Sequence, residues 1–264
     1  EEDAQYFSAL HGQIKEIFNN EYVTPNGRLA SNTQTAYVLA LQFDLLPVNM
    51  REQAVDRLVE NIRQYGMHIT TGFLGTPYIN HVLTRFGRID VAYELLLQDT
   101  YPSWLYPVKK GATTIWERWN GIKPDGSFQY PSMNSFNHYA YGAIGDWMYR
   151  TIAGINPESP GYREFVIDPR PGGGIISAGG QLLTYYGLIK SDWKIENSDF
   201  YIDIQVPVNT GASVRLPANS ADNIWEGGRR IRDVKTIDIL EENEAHVLLM
   251  LGSGKYTFKI ENYR

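Results

Sequence analysis

The sequence predicts two domains of different class, a helical domain followed by an all-β domain. Up to about residue 157, apolar residues recur at three- and four-residue spacing, which is typical of amphipathic helices. From residue 158 onward, short segments of alternating apolar and polar residues are separated by Gly, Asn and Pro. The Pro- and Gly-containing stretch 156–161 separates the two patterns, so we place the domains at residues 1–157 and 158–264.

The first domain is predicted to contain six helices that pack on one another. Ser31 is a suitable N-cap for the second helix, and Pro47 is expected to end it. Gly66 is expected to close the third helix, and Pro77 to open the fourth. Consecutive helices without intervening strands imply a helix-on-helix architecture. The apolar positions that mark the helices lie within residues 6–18, 36–46, 55–62, 79–86, 89–97 and 138–155.

The second domain is predicted to be an antiparallel β-sandwich. Residues 201–206 show the clearest alternation of apolar and polar side chains. Several short strands joined by polar turns favour two packed sheets over a single open one. Strands are predicted at residues 164–168, 180–186, 187–195, 199–207, 212–216, 235–240, 245–251 and 254–260.

Composition excludes several classes of function. The net charge is -6 with no basic tract, which argues against nucleic acid or an anionic membrane as a partner. The chain has no cysteine, which excludes disulfides and cysteine-ligated metals but leaves the cellular compartment open. His11, His68 and His81 share no spacing with Asp or Glu that would build a metal site, so no metal and no cofactor are expected. No apolar run approaches the roughly 20 residues that span a bilayer.

The segment Trp116-Glu117-Arg118-Trp119 combines a carboxylate with two flat apolar side chains. Glycosidases need a carboxyl group at the anomeric carbon and aromatic faces on which a sugar ring can lie. The alternative is a buried aromatic strand with one exposed Glu. In an extended backbone Trp116 and Glu117 face opposite sides, whereas Trp119 shares a face with Glu117. Trp119 is therefore the better candidate for sugar stacking and Trp116 for the core.

Several ordered segments together resemble one known family. They are Thr71–Pro77, Tyr101–Tyr106, Gly111–Trp119, Ser135–Gly142 with Asp146-Trp147, and Gly252–Phe258. With these segments the helical half is similar to the six-hairpin glycosidases, specifically the bacterial α-L-rhamnosidases of glycoside hydrolase family 78. The strand half is similar to the C-terminal β-sandwich of that family, and the resemblance covers essentially the whole chain. It implies the second half of an (α/α)6 six-hairpin toroid followed by an antiparallel β-sandwich.

The resemblance implies hydrolysis of terminal α-L-rhamnosides with inversion, which uses two carboxyl groups roughly 6.5–9.5 Å apart. It assigns Glu117 as the general base and His138 as a residue that contacts the sugar. Arg118 would favour the ionised form of Glu117 if it pointed the same way. The alternative for His138 is a histidine near a helix start that bonds a loop carbonyl. Trp104 and Asn137, with Thr71, are weaker candidates for sugar binding and fit structural or rim positions as well.

The general acid of the family lies in an Asp- and Arg-rich loop that this sequence does not contain. The resemblance also implies about twelve helices in a complete toroid, roughly twice the number predicted here. We therefore expect a C-terminal part of a larger enzyme, inactive alone, whose partner is a rhamnose-containing glycan or glycoside. Exposed helix flanks would favour a homo-oligomer or association with the missing N-terminal half. The alternatives are a six-hairpin glycosidase for a different sugar and a non-catalytic carbohydrate-binding or scaffold fragment.

Overall fold

A computed structural model describes residues 1–263 of the chain, which forms two compact units that meet in sequence between Ile144 and Gly145. The first unit is helical and the second is built from β-strands, as the patterns predict. The domain boundary after residue 157 stays a prediction from the sequence.

Five of the six predicted helices are present, and a short sixth was not predicted. The helix at Leu105–Lys109 is only five residues long and contains Pro107, so it shows no readable period. The helices of the first unit are α1 Glu2–Tyr22, α2 Gln34–Gln42, α3 Val48–Gln64, α4 Thr76–Arg85, α5 Ile89–Leu97 and α6 Leu105–Lys109.

The ends of these helices follow local chemistry, with two corrections. The N-cap of α2 is Thr33 rather than Ser31, since the Thr33 side chain accepts a hydrogen bond from the backbone N–H of Ala36. Pro47 does not end α2, which stops at Gln42, but precedes the first residue of α3. Gly66 follows α3 with φ 67, a left-handed conformation that glycine adopts without strain.

The predicted single helix over 138–155 is wrong. Glycines at positions 142, 145 and 154 lower its helix propensity. Its last carbonyls also find other partners: Ser191 Oγ donates to Ala153 O at 2.6 Å, and Trp193 Nε1 donates to Ile152 O at 2.7 Å. The segment is instead divided into a 3₁₀ turn Tyr139–Ala143, helix α7 Ile144–Trp147, a π-turn Met148–Ile152 and a strand that begins at Ile155.

The second unit contains two β-sheets. The orders are β1-β2-β6-β10-β9 in one sheet and β3-β4-β5-β11-β7-β8 in the other. All eight predicted strands are present, and the three additional ones are too short to show alternation. The strands are β1 Ile155–Pro157, β2 Glu164–Ile167, β3 Ser177–Thr184, β4 Gly187–Glu196, β5 Asp199–Val206, β6 Gly211–Leu216, β7 Ile224–Glu226, β8 Arg229–Arg230, β9 Asp238–Glu242, β10 Val247–Leu251 and β11 Gly254–Ile260.

The core of the β unit comes from alternate residues of both sheets. Phe165 and Leu249 of the five-stranded sheet are fully buried, and so are Phe200 and Phe258 of the six-stranded sheet. The sheets are antiparallel, as predicted, apart from one parallel pair formed by β2 and β6.

The helical core lies among α2, α3, α4 and α5 and carries one polar link that matters for the site. Gln34 at the start of α2 is fully buried. Its Nε2 donates to His68 O at 2.9 Å, and its Oε1 accepts from Thr70 N at 2.8 Å. This amide fixes the chain just before the Thr71–Thr76 segment. A buried amide left without a hydrogen bond at either end would destabilise the folded protein, so both bonds are expected to persist. No helix within residues 1–263 is long and apolar enough to cross a membrane.

Candidate active site

Two segments that are distant in sequence pair in the helical unit and bring Glu117 close to His138. The backbone N–H of Glu117 donates to Ser135 O at 3.0 Å, and the N–H of His138 donates to Ile115 O at 2.8 Å. These two bonds hold the segments against each other in antiparallel fashion, like a short piece of sheet. Both side chains are partly exposed, so both can meet a ligand.

Gly121 allows the chain to return from one segment to the other. A side chain at this position would lie 3.0 Å from the ring of Phe136 and 3.3 Å from that of Trp116. The loop that follows is closed by a hydrogen bond from Gln129 N to Gly121 O at 3.0 Å. The absence of a side chain therefore lets the two aromatic rings pack beside the returning chain.

The two tryptophans of the motif occupy different environments. Trp116 is 5% exposed and packs edge-on against Phe136, with ring centroids 5.1 Å apart. Trp119 is partly exposed and stacks on Tyr141 at 3.8 Å with an interplanar angle of 7°. The structure thus places Trp116 in the interior and leaves Trp119 accessible beside Glu117.

The other sequence candidates lie at different depths. Trp104 is buried. Its ring meets that of Trp119 edge-on, with centroids 5.6 Å apart, and its indole N–H donates to Tyr141 O at 3.0 Å, so it supports both Trp119 and Tyr141. Asn137 is exposed next to His138. Thr71 is buried and hydrogen-bonds Thr76, with 2.8 Å between the two hydroxyl oxygens.

Arg118 does not provide the electrostatic support that the sequence suggested for Glu117. Its Nη1 donates to Gln129 Oε1 at 2.6 Å, and its guanidinium lies over the ring of Tyr130 at 5.7 Å. The side chain follows the loop between the two paired segments, where the amide oxygen of Gln129 accepts its hydrogen bond and the face of the Tyr130 ring attracts its positive charge.

Sequence reasoning missed two residues of the site, Tyr141 and Phe73. Burial raises the pKa of Tyr141, and the nearby Tyr101 and Glu117 raise it further, so its phenol stays neutral and can donate a hydrogen bond. Phe73 stacks on His138 at 5.0 Å and meets Tyr141 edge-on at 5.2 Å. The spacing of three residues from His138 could have indicated Tyr141, whereas no local signal indicated Phe73.

Glu117 and His138 are partly exposed and line none of the cavities described below, so we call their surface an open wall. The cavity beside it, lined by Trp104, Trp119 and Tyr141 among others, has a volume of only about 40 Å³. Larger grooves of about 390 to 470 Å³ are lined by residues of the β unit alone, but they lack the paired segments and the aromatic cluster around Glu117. Among residues 1–263, no group of three or more His, Asp or Glu side chains could hold a metal ion.

Family comparisons match both units. Residues 1–152 match the bacterial alpha-L-rhamnosidase 6 hairpin glycosidase domain, and residues 154–230 match the bacterial alpha-L-rhamnosidase C-terminal domain. An alpha-L-rhamnosidase from Streptomyces avermitilis is 48% identical over 98% of this chain, and one from Formosa agariphila is 40% identical over 98%. The chain spans only 24% and 28% of the length of these two relatives.

Solved structures agree in fold. The alpha-L-rhamnosidase of Streptomyces avermitilis, solved in complex with L-rhamnose, matches with a TM-score of 0.90 and 43% identity, over 98% of this chain and 24% of that one. The alpha-L-rhamnosidase of Dictyoglumus thermophilum matches with a TM-score of 0.87 and 35% identity, over 99% of this chain and 29% of that one. The predicted fold class, part of a six-hairpin domain followed by a β-sandwich, is therefore confirmed.

Proposed function

We propose that this chain, which belongs to the bacterial alpha-L-rhamnosidase family of six-hairpin glycosidases, contributes the general base to a site that hydrolyses terminal α-L-rhamnosides. The observation that carries the proposal is the pairing of the Glu117 segment with the His138 segment, next to the partly exposed Trp119 that stacks on Tyr141. A carboxylate beside a flat aromatic wall is the arrangement that sugar hydrolysis needs.

In the proposed reaction Glu117 acts as the general base. Its carboxylate takes a proton from the water that attacks the anomeric carbon, while a protonated carboxyl group on the other side donates to the leaving oxygen. The attacking water and the leaving group lie on opposite faces of the sugar, so the product has the inverted anomeric configuration. Trp119 offers an apolar face to the sugar ring, and His138 and the neutral Tyr141 phenol offer hydrogen bonds to its hydroxyls.

We further propose that the general acid comes from outside this chain. The site has one wall, its cavity is small, and the chain spans about a quarter of the length of its relatives. A protein segment facing Glu117 would enclose the sugar and exclude water, which strengthens every polar interaction in the site. The chain alone is therefore expected to be inactive on rhamnosides.

The test is the substitution Glu117→Gln in the longest form of the protein that hydrolyses an aryl α-L-rhamnoside. Removal of the base should lower kcat by roughly 10²- to 10⁴-fold with little change in thermal stability. Glu94→Gln, at an exposed position on α5, is the matched control and should leave turnover unchanged.

Three outcomes decide this test. Proton NMR of the first product should show β-L-rhamnose released from an α-linked substrate, which retention would contradict. Full turnover by Glu117→Gln would remove Glu117 from the mechanism. Turnover by the 264-residue chain alone would show that its general acid lies within it.

A further inference from the structure

We propose that the turn Thr71–Thr76 holds Phe73 against His138, and that Phe73 is a positioning residue for the His138 imidazole. The inference rests on the proposed function, because it gives His138 a task in sugar binding. The turn belongs to the segment Thr71–Pro77, one of those that carry the family resemblance, and the proposed reaction gives this segment no task.

The turn is built around one buried hydroxyl. Thr76 Oγ1 donates to Gly72 O at 2.8 Å, and because this uses its single proton, Thr71 Oγ1 must be the donor in the 2.8 Å bond between the two threonines. The backbone N–H groups of Gly75 and Thr76 donate to the same Gly72 carbonyl, at 3.2 and 3.0 Å. Both threonines are 2% exposed, so water does not compete for these bonds.

Gly75 makes the turn compact. A side chain at this position would lie 2.8 Å from the Thr71 methyl and 3.0 Å from Thr35 Oγ1, so any larger residue would push the turn apart. The turn leads directly into α4, and the buried Gln34 amide fixes Thr70 on its other side. The backbone is therefore held at both ends and in the middle.

This rigid turn presents Phe73 and Leu74 outward. They are 42% and 72% exposed, so burial alone gives little reason for two apolar residues at its tip. Phe73 has a defined contact nevertheless: its ring lies nearly parallel to the His138 imidazole, with an interplanar angle of 17°. Its edge-on contact with Tyr141 fixes the ring from a second side.

The consequence is a pre-set orientation of the imidazole. The backbone of His138 is fixed by its hydrogen bond to Ile115, and the Phe73 ring restricts rotation of the side chain. A side chain that is already oriented loses less entropy when it bonds a ligand. We therefore expect Phe73 to affect sugar binding and turnover through His138, without touching the reacting atoms.

Kinetics in the longest active form of the protein test this route. Phe73→Leu keeps apolar bulk but removes the flat ring, and kcat/KM should fall between about 10-fold and 100-fold. Phe73→Tyr keeps the ring and should retain activity. Phe43→Leu is the matched control, since Phe43 is an exposed phenylalanine in edge-on contact with Tyr78, and it should change kcat/KM by less than about twofold.

A double-mutant cycle shows whether Phe73 acts through His138. If it does, Phe73→Leu should cost nothing further in a His138→Ala background. Additive losses would overturn the proposal, as would wild-type kinetics for Phe73→Leu. Equal losses in Phe73→Leu and Phe73→Tyr would also overturn it, because the ring would not be what matters.

An NMR experiment on the 264-residue chain separates this inference from the proposed function. The stacked ring should shield the ring protons of His138, so Phe73→Leu should move their resonances downfield while Phe43→Leu should not. Unmoved resonances would refute the contact itself. If the resonances move but Glu117→Gln leaves rhamnoside turnover intact, the proposed role of Glu117 as the base fails and the contact between Phe73 and His138 stands. If the resonances move but the longest form of the protein hydrolyses no rhamnoside, the proposed function fails and the contact still stands.

Discussion

At the scale of single residues, two tryptophans three positions apart have opposite tasks. Trp116 faces inward against Phe136 and is nearly inaccessible, whereas Trp119 lies on the open side and stacks on Tyr141. The extended backbone assumed from the sequence is not what the structure shows. The chain bends at Glu117 and Arg118 and turns at Trp119, and the two indoles reach different environments, so one short motif serves both the core and the site. Stability and ligand binding can therefore be separated by substitution.

We predict that Trp116→Ala destabilises the chain by about 3–5 kcal/mol, because it removes a large buried side chain and leaves a cavity. Trp119→Ala should destabilise it much less but raise KM for an aryl α-L-rhamnoside, because the sugar loses its apolar wall. Urea unfolding of each variant measures the first effect, and kinetics in the longest active form measure the second. Equal stability losses, with KM unchanged in both, would contradict this division of tasks.

At the scale of elements, one glycine decides how the chain enters the first sheet. Gly154 has φ 79, and a side chain there would lie 2.2 Å from Pro169 N and 2.5 Å from Asp168 C. Its carbonyl accepts a hydrogen bond from Asp168 N at 2.9 Å, just before β1 pairs with β2. The position therefore requires both a left-handed backbone and the absence of a side chain.

Gly154→Ala should lower the free energy of unfolding by about 3 kcal/mol or more, because the clash is with backbone that cannot move aside. Gly161→Ala is the matched control, with φ 74 and no atom within 4 Å of the new methyl group, and should cost about 1 kcal/mol for the backbone conformation alone. Urea unfolding of both variants measures the difference. Equal losses would show that the backbone conformation, and not the close approach, sets the requirement.

Periodicity predicted α2 to α5 and the long strands because their side chains alternate between core and solvent. It also predicted α1, whose apolar residues have the same spacing although none of them is buried. It failed over residues 138–155, where three glycines weaken a continuous helix, and at Leu105–Lys109, which is shorter than two turns. The site shows the same limit. Motif resemblance pointed to Glu117 and His138, but the stack between Phe73 and His138 exists only after the turn before α4 and the paired segments come together.

At the scale of the whole molecule, helix α1 gives the helical unit an exposed apolar face. No residue of α1 is buried, although it carries a row of apolar side chains at helical spacing. A contiguous apolar patch on a protein surface usually marks a site of contact with another protein or with a ligand. The open wall around Glu117 fits the same interpretation, since an enclosed sugar site would need a second wall. The exposed large apolar residues of α1 are Tyr6, Phe7, Ile14, Ile17 and Tyr22.

We predict that the isolated chain self-associates through this face of α1. Phe7→Glu together with Ile14→Glu should make it monomeric without lowering its thermal stability, since both side chains are exposed and seven residues apart on one face. Gln5→Glu together with Gly12→Glu adds the same charge at two exposed positions, also seven residues apart, on the opposite side of the helix and should leave self-association intact. Analytical ultracentrifugation over a range of concentrations measures the outcome. A monomeric wild-type chain, or equal dissociation in both double variants, would show that the apolar face does not drive association.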